Sequence, residues 1–180
     1  MSKTALLFVF LIFPLQKVSA EAVLGSVHWQ KSVRRGPAPV YRDVAQWILP
    51  ARGGFLNVPR AVVELKNLSD SPDEAVLLRY AFSVRLTREG WKEGQWTLPI
   101  ILEERRVPTI RAQETRAVPL LINRALLAAH LKRMARAGLQ PDLLRVQVAV
   151  EPRPGEKPFD GRILEGMLPV VRQSVSGARP

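Results

Sequence analysis

Cysteine is absent from all 180 residues, and several chemistries go with it. No thiolate nucleophile and no cysteine-based zinc site can be built. No disulfide can staple the fold, and lipid attachment of the bacterial lipoprotein kind has no residue to use. Histidine is scarce, with only His28 and His130. Neither has a second histidine one helical turn away, so no histidine metal pair is spelled out and no cofactor is implied. Also missing are a P-loop, a dinucleotide fingerprint and a G-x-S-x-G elbow. No apolar run approaches the roughly 20 residues of a membrane span.

The one apolar run there is, Ala5 to Phe13, follows Lys3 and stops at Pro14. Val18-Ser19-Ala20 then presents small or apolar residues, so residues 1–20 read as a signal peptide. Lys17 stands close to the expected cut, and a short uncleaved anchor is the alternative reading. Cleavage would remove Lys3 and Lys17 and no acid, leaving +9 of the formal +11. The reading implies an exported protein, periplasmic or secreted, with no transmembrane helix after processing. Without disulfides its stability must come from burial. Residues 21–172 are expected to form one domain, and 173–180 a flexible tail.

The positive charge comes mainly from arginine. It reads either as a solvated surface or as an electrostatic footprint for an acidic partner. For an exported chain that partner is another envelope protein or an anionic envelope surface rather than nucleic acid. The oligomeric state is not specified by the sequence.

Most of the chain alternates like strand. In residues 23–33, Val23, Val27, Trp29 and Val33 are expected on one face. Residues 40–49 are ambiguous between strand and short helix. Val63 and Leu65 share a face of the segment 61–67. "AVLLRYAFSVRLT" gives the longest alternation, with Val76, Leu78, Tyr80, Phe82, Val84 and Leu86 inward and Arg79, Ser83, Arg85 and Thr87 wet. "QWTLPIIL" predicts Trp96, Leu98, Ile100 and Leu102 in line, which makes Trp96, like Trp29, a core residue. Pro99 and Pro119 mark edges or bulges. Residues 103–114 read as a connection with a short extended core. Later, Leu144, Val146, Val148 and Val150 align, as do Leu164, Leu168 and Val170. Seven or eight strands with turn signals between them predict a mainly β fold, a single antiparallel sandwich.

One helix interrupts the strands. Asn123 is the expected N-cap, Leu127, Leu131 and Met134 form a stripe, Gly138 supplies a left-handed cap, and Pro141 prevents resumption. The helix is expected to close one end of the sandwich. Its other face carries Lys132, Arg133 and Arg136, with Arg124 in the first turn.

The segments "VELKNLSDSP", "VLLRYAFSVRL" and "VPTIRAQETRAVPLLI" resemble the immunoglobulin-like sandwiches of bacterial envelope proteins. The helix between "AVPLLI" and "LLRVQVAV" is similar to the one late-embryogenesis-abundant type 2 domains carry before their last strands. The chain has Asn67-Leu68 where that family shows Asn-Pro. The resemblance spans about residues 60–151 and implies an immunoglobulin-like fold without a catalytic site.

Two functions follow as expectations. The first is a non-enzymatic envelope component that binds or assembles through the basic residues Arg124, Lys132, Arg133 and Arg136. The alternative is a carbohydrate-binding module or glycan-active enzyme, in which Trp91 stacks on a sugar ring beside a carboxylate. Asp70, Asp73, Glu74, Glu103 and Glu104 are the candidate carboxylates. "DSPDE" lacks the alternation of a calcium loop, so no metal is expected there.

Overall fold

The computed structural model of the chain describes residues 22–33, 39–50, 58–152 and 163–173. The expected signal peptide, the expected tail after Gln173 and residues 34–38, 51–57 and 153–162 lie outside the described residues. In chain order the elements are β1 (Ala22–Ser32), β2 (Tyr41–Asp43), β3 (Trp47–Leu49), β4 (Arg60–Asn67), β5 (Asp73–Thr87), β6 (Gln95–Trp96), β7 (Ile101–Ile110), β8 (Thr115–Leu120), α1 (Arg124–Arg136), β9 (Gln140–Val150) and β10 (Ile163–Arg172).

They form two sheets. One is four-stranded, in the order β2-β1-β4-β8, and the other runs β3-β10-β9-β5. β6 and β7 occupy successive stretches of the same free edge of β5. Ten strands among the described residues replace the expected seven or eight, the surplus being the short pieces β2, β3 and β6. The pairing is antiparallel except that β3 runs parallel to β10, which corrects the wholly antiparallel expectation. The ambiguous stretch 40–49 is not helix. It makes β2 and β3, tied back where Val44 N–H donates to Trp29 O at 2.8 Å.

One hydrophobic core draws on both sheets and the helix. All six inward residues expected of β5 are buried, as are Ala61, Val63 and Leu65 of β4. Trp29 of the smaller sheet meets Phe82 of the larger edge-on, with ring centroids 6.1 Å apart. Burying a side chain such as Phe82 contributes about 1.5–3 kcal/mol, and edge-on ring contact adds to that. On the opposite face of β5, Ser83 is buried rather than wet. It lies in register with Arg145, whose guanidinium sits over the Trp96 ring, 4.3 Å from the centroid.

A bulge in β1 inverts the faces expected from simple alternation. Between the pairs Leu24↔Leu65 and Val27↔Val63, Gly25 and Ser26 together oppose Glu64. Two residues against one shift the parity of the strand. Leu24 and Val27 therefore both pack on the core, and Val33 ends exposed. A second bulge, at Pro99, inserts two residues between the pairs Arg85↔Trp96 and Phe82↔Ile101 and so leaves the alternation unchanged. Thr97 N–H donates to Val84 O at 2.9 Å and Ile100 N–H to Phe82 O at 2.8 Å, so Leu98, Pro99 and Ile100 span the space opposite Ser83. Pro99 has no N–H to place in the ladder. Trp96 shares its face with Leu98 and Leu102 as expected, but that face is the outer one, opposite Arg85, so Trp96 is not a core residue. Leu98 and Leu102 are exposed, while Ile101 is buried. The expected connection after it is instead β7, paired along β5 from Phe82 to Asp73. β8, with Pro119, is an edge as expected.

The helix forms where its capping signals place it. Asn123 Oδ1 accepts from Leu126 N–H at 3.0 Å, satisfying one orphan donor of the first turn. At the other end Gly138 N–H donates to Ala135 O and Leu139 N–H to Met134 O. These two bonds make a Schellman cap, and Gly138 takes the φ of +76° that it requires. Leu127 and Leu131 are fully buried, and Met134 packs against the same core.

Candidate functional site

The cationic face of α1 follows from helical periodicity. With 3.6 residues per turn, Lys132, Arg133 and Arg136 lie opposite the Leu127–Leu131–Met134 stripe. Because the stripe is buried, the three cations are presented to solvent, and all are exposed. They fall within about 6 Å along the helix axis. Among the described residues no ion pair engages any of them. Arg133 and Arg136 stand in the last turn, where the negative end of the helix dipole favours positive charge. Arg124 is also exposed but sits about 12 Å away along the axis from Lys132. The structure thus brings three of the four expected basic residues together.

Trp91 lies in the turn after β5, where its N–H donates to Arg88 O at 3.0 Å. It is 40 % exposed. It lines neither the groove beside α1 nor the shallow depression over Ala81 and Ala149 on the outer face of the larger sheet. The carboxylates named with it are bound into the fold. Asp73 Oδ2 accepts from Ala22 N–H at 2.8 Å. Glu103 accepts from the Tyr80 hydroxyl at 3.1 Å, and Glu104 pairs with Arg79 at 2.9 Å. Asp70 accepts from the Gln113 side chain. Burial first, and then the bond to Glu103, push the Tyr80 hydroxyl up to about 12.

A cluster not legible in the sequence lies on the outer face of the smaller sheet, where the β1 bulge sets Ser26 and His28 beside Glu64. Ser26 Oγ donates to Glu64 Oε2 at 2.7 Å and lies 2.9 Å from His28 Nε2. The same His28 nitrogen is 3.5 Å from Glu64 Oε1. A nucleophilic triad needs the ring between the other two groups, one nitrogen facing each. Here one nitrogen faces both, and the hydroxyl gives its proton to the carboxylate directly. The Ser26 bond, ahead of the opposing effect of desolvation, lowers the Glu64 carboxyl below its ordinary value. That geometry stabilises a charged carboxylate and does not prime a hydroxyl. Among the described residues no three histidine or carboxylate side chains gather around a common point as metal ligands would.

His130 differs from His28. It stands on α1 one position before Leu131, with Nε2 buried and without a hydrogen-bond partner among the described residues. Burial, and then the Arg133 charge, hold its imidazole below the ordinary 6.5.

No protein-family model matches the chain, and no curated protein matches it.

Proposed function

We propose that the chain is an exported, non-enzymatic component of the cell envelope, built as one immunoglobulin-like sandwich, that docks an acidic partner protein through α1. The observation that carries this reading is the trio Lys132, Arg133 and Arg136. These are three exposed cations without ion-pair partners among the described residues, on a helix whose other side is fixed in the core. A rigidly held basic face favours encounter with acidic surfaces. The anionic envelope surface is the lesser reading, because the exposed residues between the cations include Ala129 and Ala135, which bury too little area to anchor a helix in lipid. No helix among the described residues is long and apolar enough to cross a membrane. The glycan-binding alternative rests on the exposure of Trp91, which lines neither of the two grooves described above.

The test is association with envelope extracts separated into protein and lipid fractions, for the wild type and for the double variant Arg133→Glu/Arg136→Glu. The reading expects saturable binding in the protein fraction that weakens with salt and is lost in the double variant. Binding confined to lipid transfers the role to the envelope surface. Binding indifferent to both salt and the variant overturns it.

A further inference from the structure

Beside the cationic face, α1 and the bulge joining β6 to β7 enclose a groove of about 420 Å³, within the size range of small-ligand sites. Its helical wall is Leu126, Ala129, His130 and Arg133, residues at i, i+3, i+4 and i+7 that share one stripe. The facing wall is the bulge at Leu98 and Pro99. That wall is anchored on both sides by the backbone bonds of Thr97 and Ile100 to β5. Val84 N–H also donates to Thr97 Oγ1 at 3.2 Å. The groove is therefore formed before any ligand arrives.

Its chemistry is divided. Leu98 is 87 % exposed and Leu126 47 %, so two leucines and a proline offer apolar surface that the fold leaves uncovered. Arg133 is the one charged residue of the lining. Beside it His130 completes the helical wall.

We propose that this groove binds a small amphipathic carboxylate, its aliphatic chain between Leu98 and Leu126 and its head paired with Arg133. Charge complementarity selects the anion, since the lining holds a cation and no acid. The inference does not rest on the protein-docking reading. Arg133 is common to both, whereas Leu98 belongs to the groove alone and Lys132 and Arg136 to the docking face alone.

Calorimetric titration with decanoate, decanol and decyltrimethylammonium, all below micelle-forming concentrations, tests it. Decanoate is expected to saturate a single site, with decanol about tenfold weaker and the cation without binding, as a charge-assisted hydrogen bond predicts. Arg133→Gln should bring decanoate down to the level of decanol. Leu98→Ser, at a solvent-exposed position that folding does not need, should weaken both. Lys132→Glu/Arg136→Glu should leave decanoate binding in place while removing protein docking. The proposal is overturned if the wild type shows no saturable decanoate binding, if decanol binds as well as decanoate, or if Arg133→Gln and Leu98→Ser bind like the wild type.

Discussion

Val27 Cγ1 of β1 stands 2.5 Å from the point where a side chain would begin on Gly166 of β10. The two residues belong to different sheets, and no Cβ fits between them without movement of one sheet. Gly166→Ala is therefore expected to destabilise the protein by about 1–3 kcal/mol through overpacking. Thermal or urea unfolding measures this, and Val27→Ala in the same chain should recover part of the loss. An alanine variant as stable as the wild type would mean that the sheets do not meet here.

Asn67 is a buried polar clamp. Its Nδ2 donates to Ser71 O at 2.8 Å, Ile110 O at 3.2 Å and Arg111 O at 3.1 Å. Its Oδ1 accepts from Ser69 N–H and Ser69 Oγ. One side chain thus ties the end of β4 to the turn before β5 and the turn after β7. Asn67→Ala leaves several polar groups unpaired, and a loss of about 2–4 kcal/mol is expected from urea midpoints. Asn67→Asp should be nearly as harmful, since a carboxylate cannot donate to the carbonyls.

Tyr80 gives the fold a dependence on alkaline pH. Its hydroxyl titrates near 12 in the folded chain against an ordinary 10, so the folded state holds the proton more tightly. Its contribution is fully present below pH 10 and is lost as pH rises from about 10 to about 12, where the unfolded chain has released the proton and the folded chain has not. Unfolding midpoints of the wild type should fall across that window more steeply than those of Tyr80→Phe. Parallel curves would show that the hydroxyl is not held as described.

The parts of the fold legible in the sequence are those set locally. α1 carries its own start and stop in Asn123 and Gly138, and Asn123 and Gly138 act as those signals say. β5 has an unbroken alternation over a buried face. What was hidden depends on pairing across strands. Gly25-Ser26 looks like ordinary strand until Glu64 is set against it, and only then does β1 change parity. Trp96, Leu98 and Leu102 share a face as their spacing says, but only pairing with Arg85 and Ala81 shows that this face is the outer one. β7 was obscured because Glu103-Glu104-Arg105-Arg106 mixes charges at an edge where both faces are partly wet. The basic trio on α1 was visible from helical spacing. The groove beside it was not, because Leu98 and Leu126 are far apart in sequence and meet only through the bulge.

The proposed docking face makes a prediction about stability as well as binding. Lys132, Arg133 and Arg136 make no ion pairs among the described residues, so their replacement should shift stability little, within about 0.5 kcal/mol for each exposed site. Arg133→Glu and Arg136→Glu lose a favourable contact with the helix dipole and should cost slightly more than Lys132→Glu. Melting curves of the three single variants check the order. A collapse of the fold on any of these changes would assign the residue to structure.

The most direct test of the proposed docking is the affinity of the purified protein for the protein fraction of a cell-envelope extract, measured at rising salt for the wild type and for Arg133→Glu/Arg136→Glu. The account predicts wild-type affinity that declines steadily with ionic strength and a folded double variant that does not bind at any salt concentration. Equal binding by the two proteins, unchanged by salt, would contradict it.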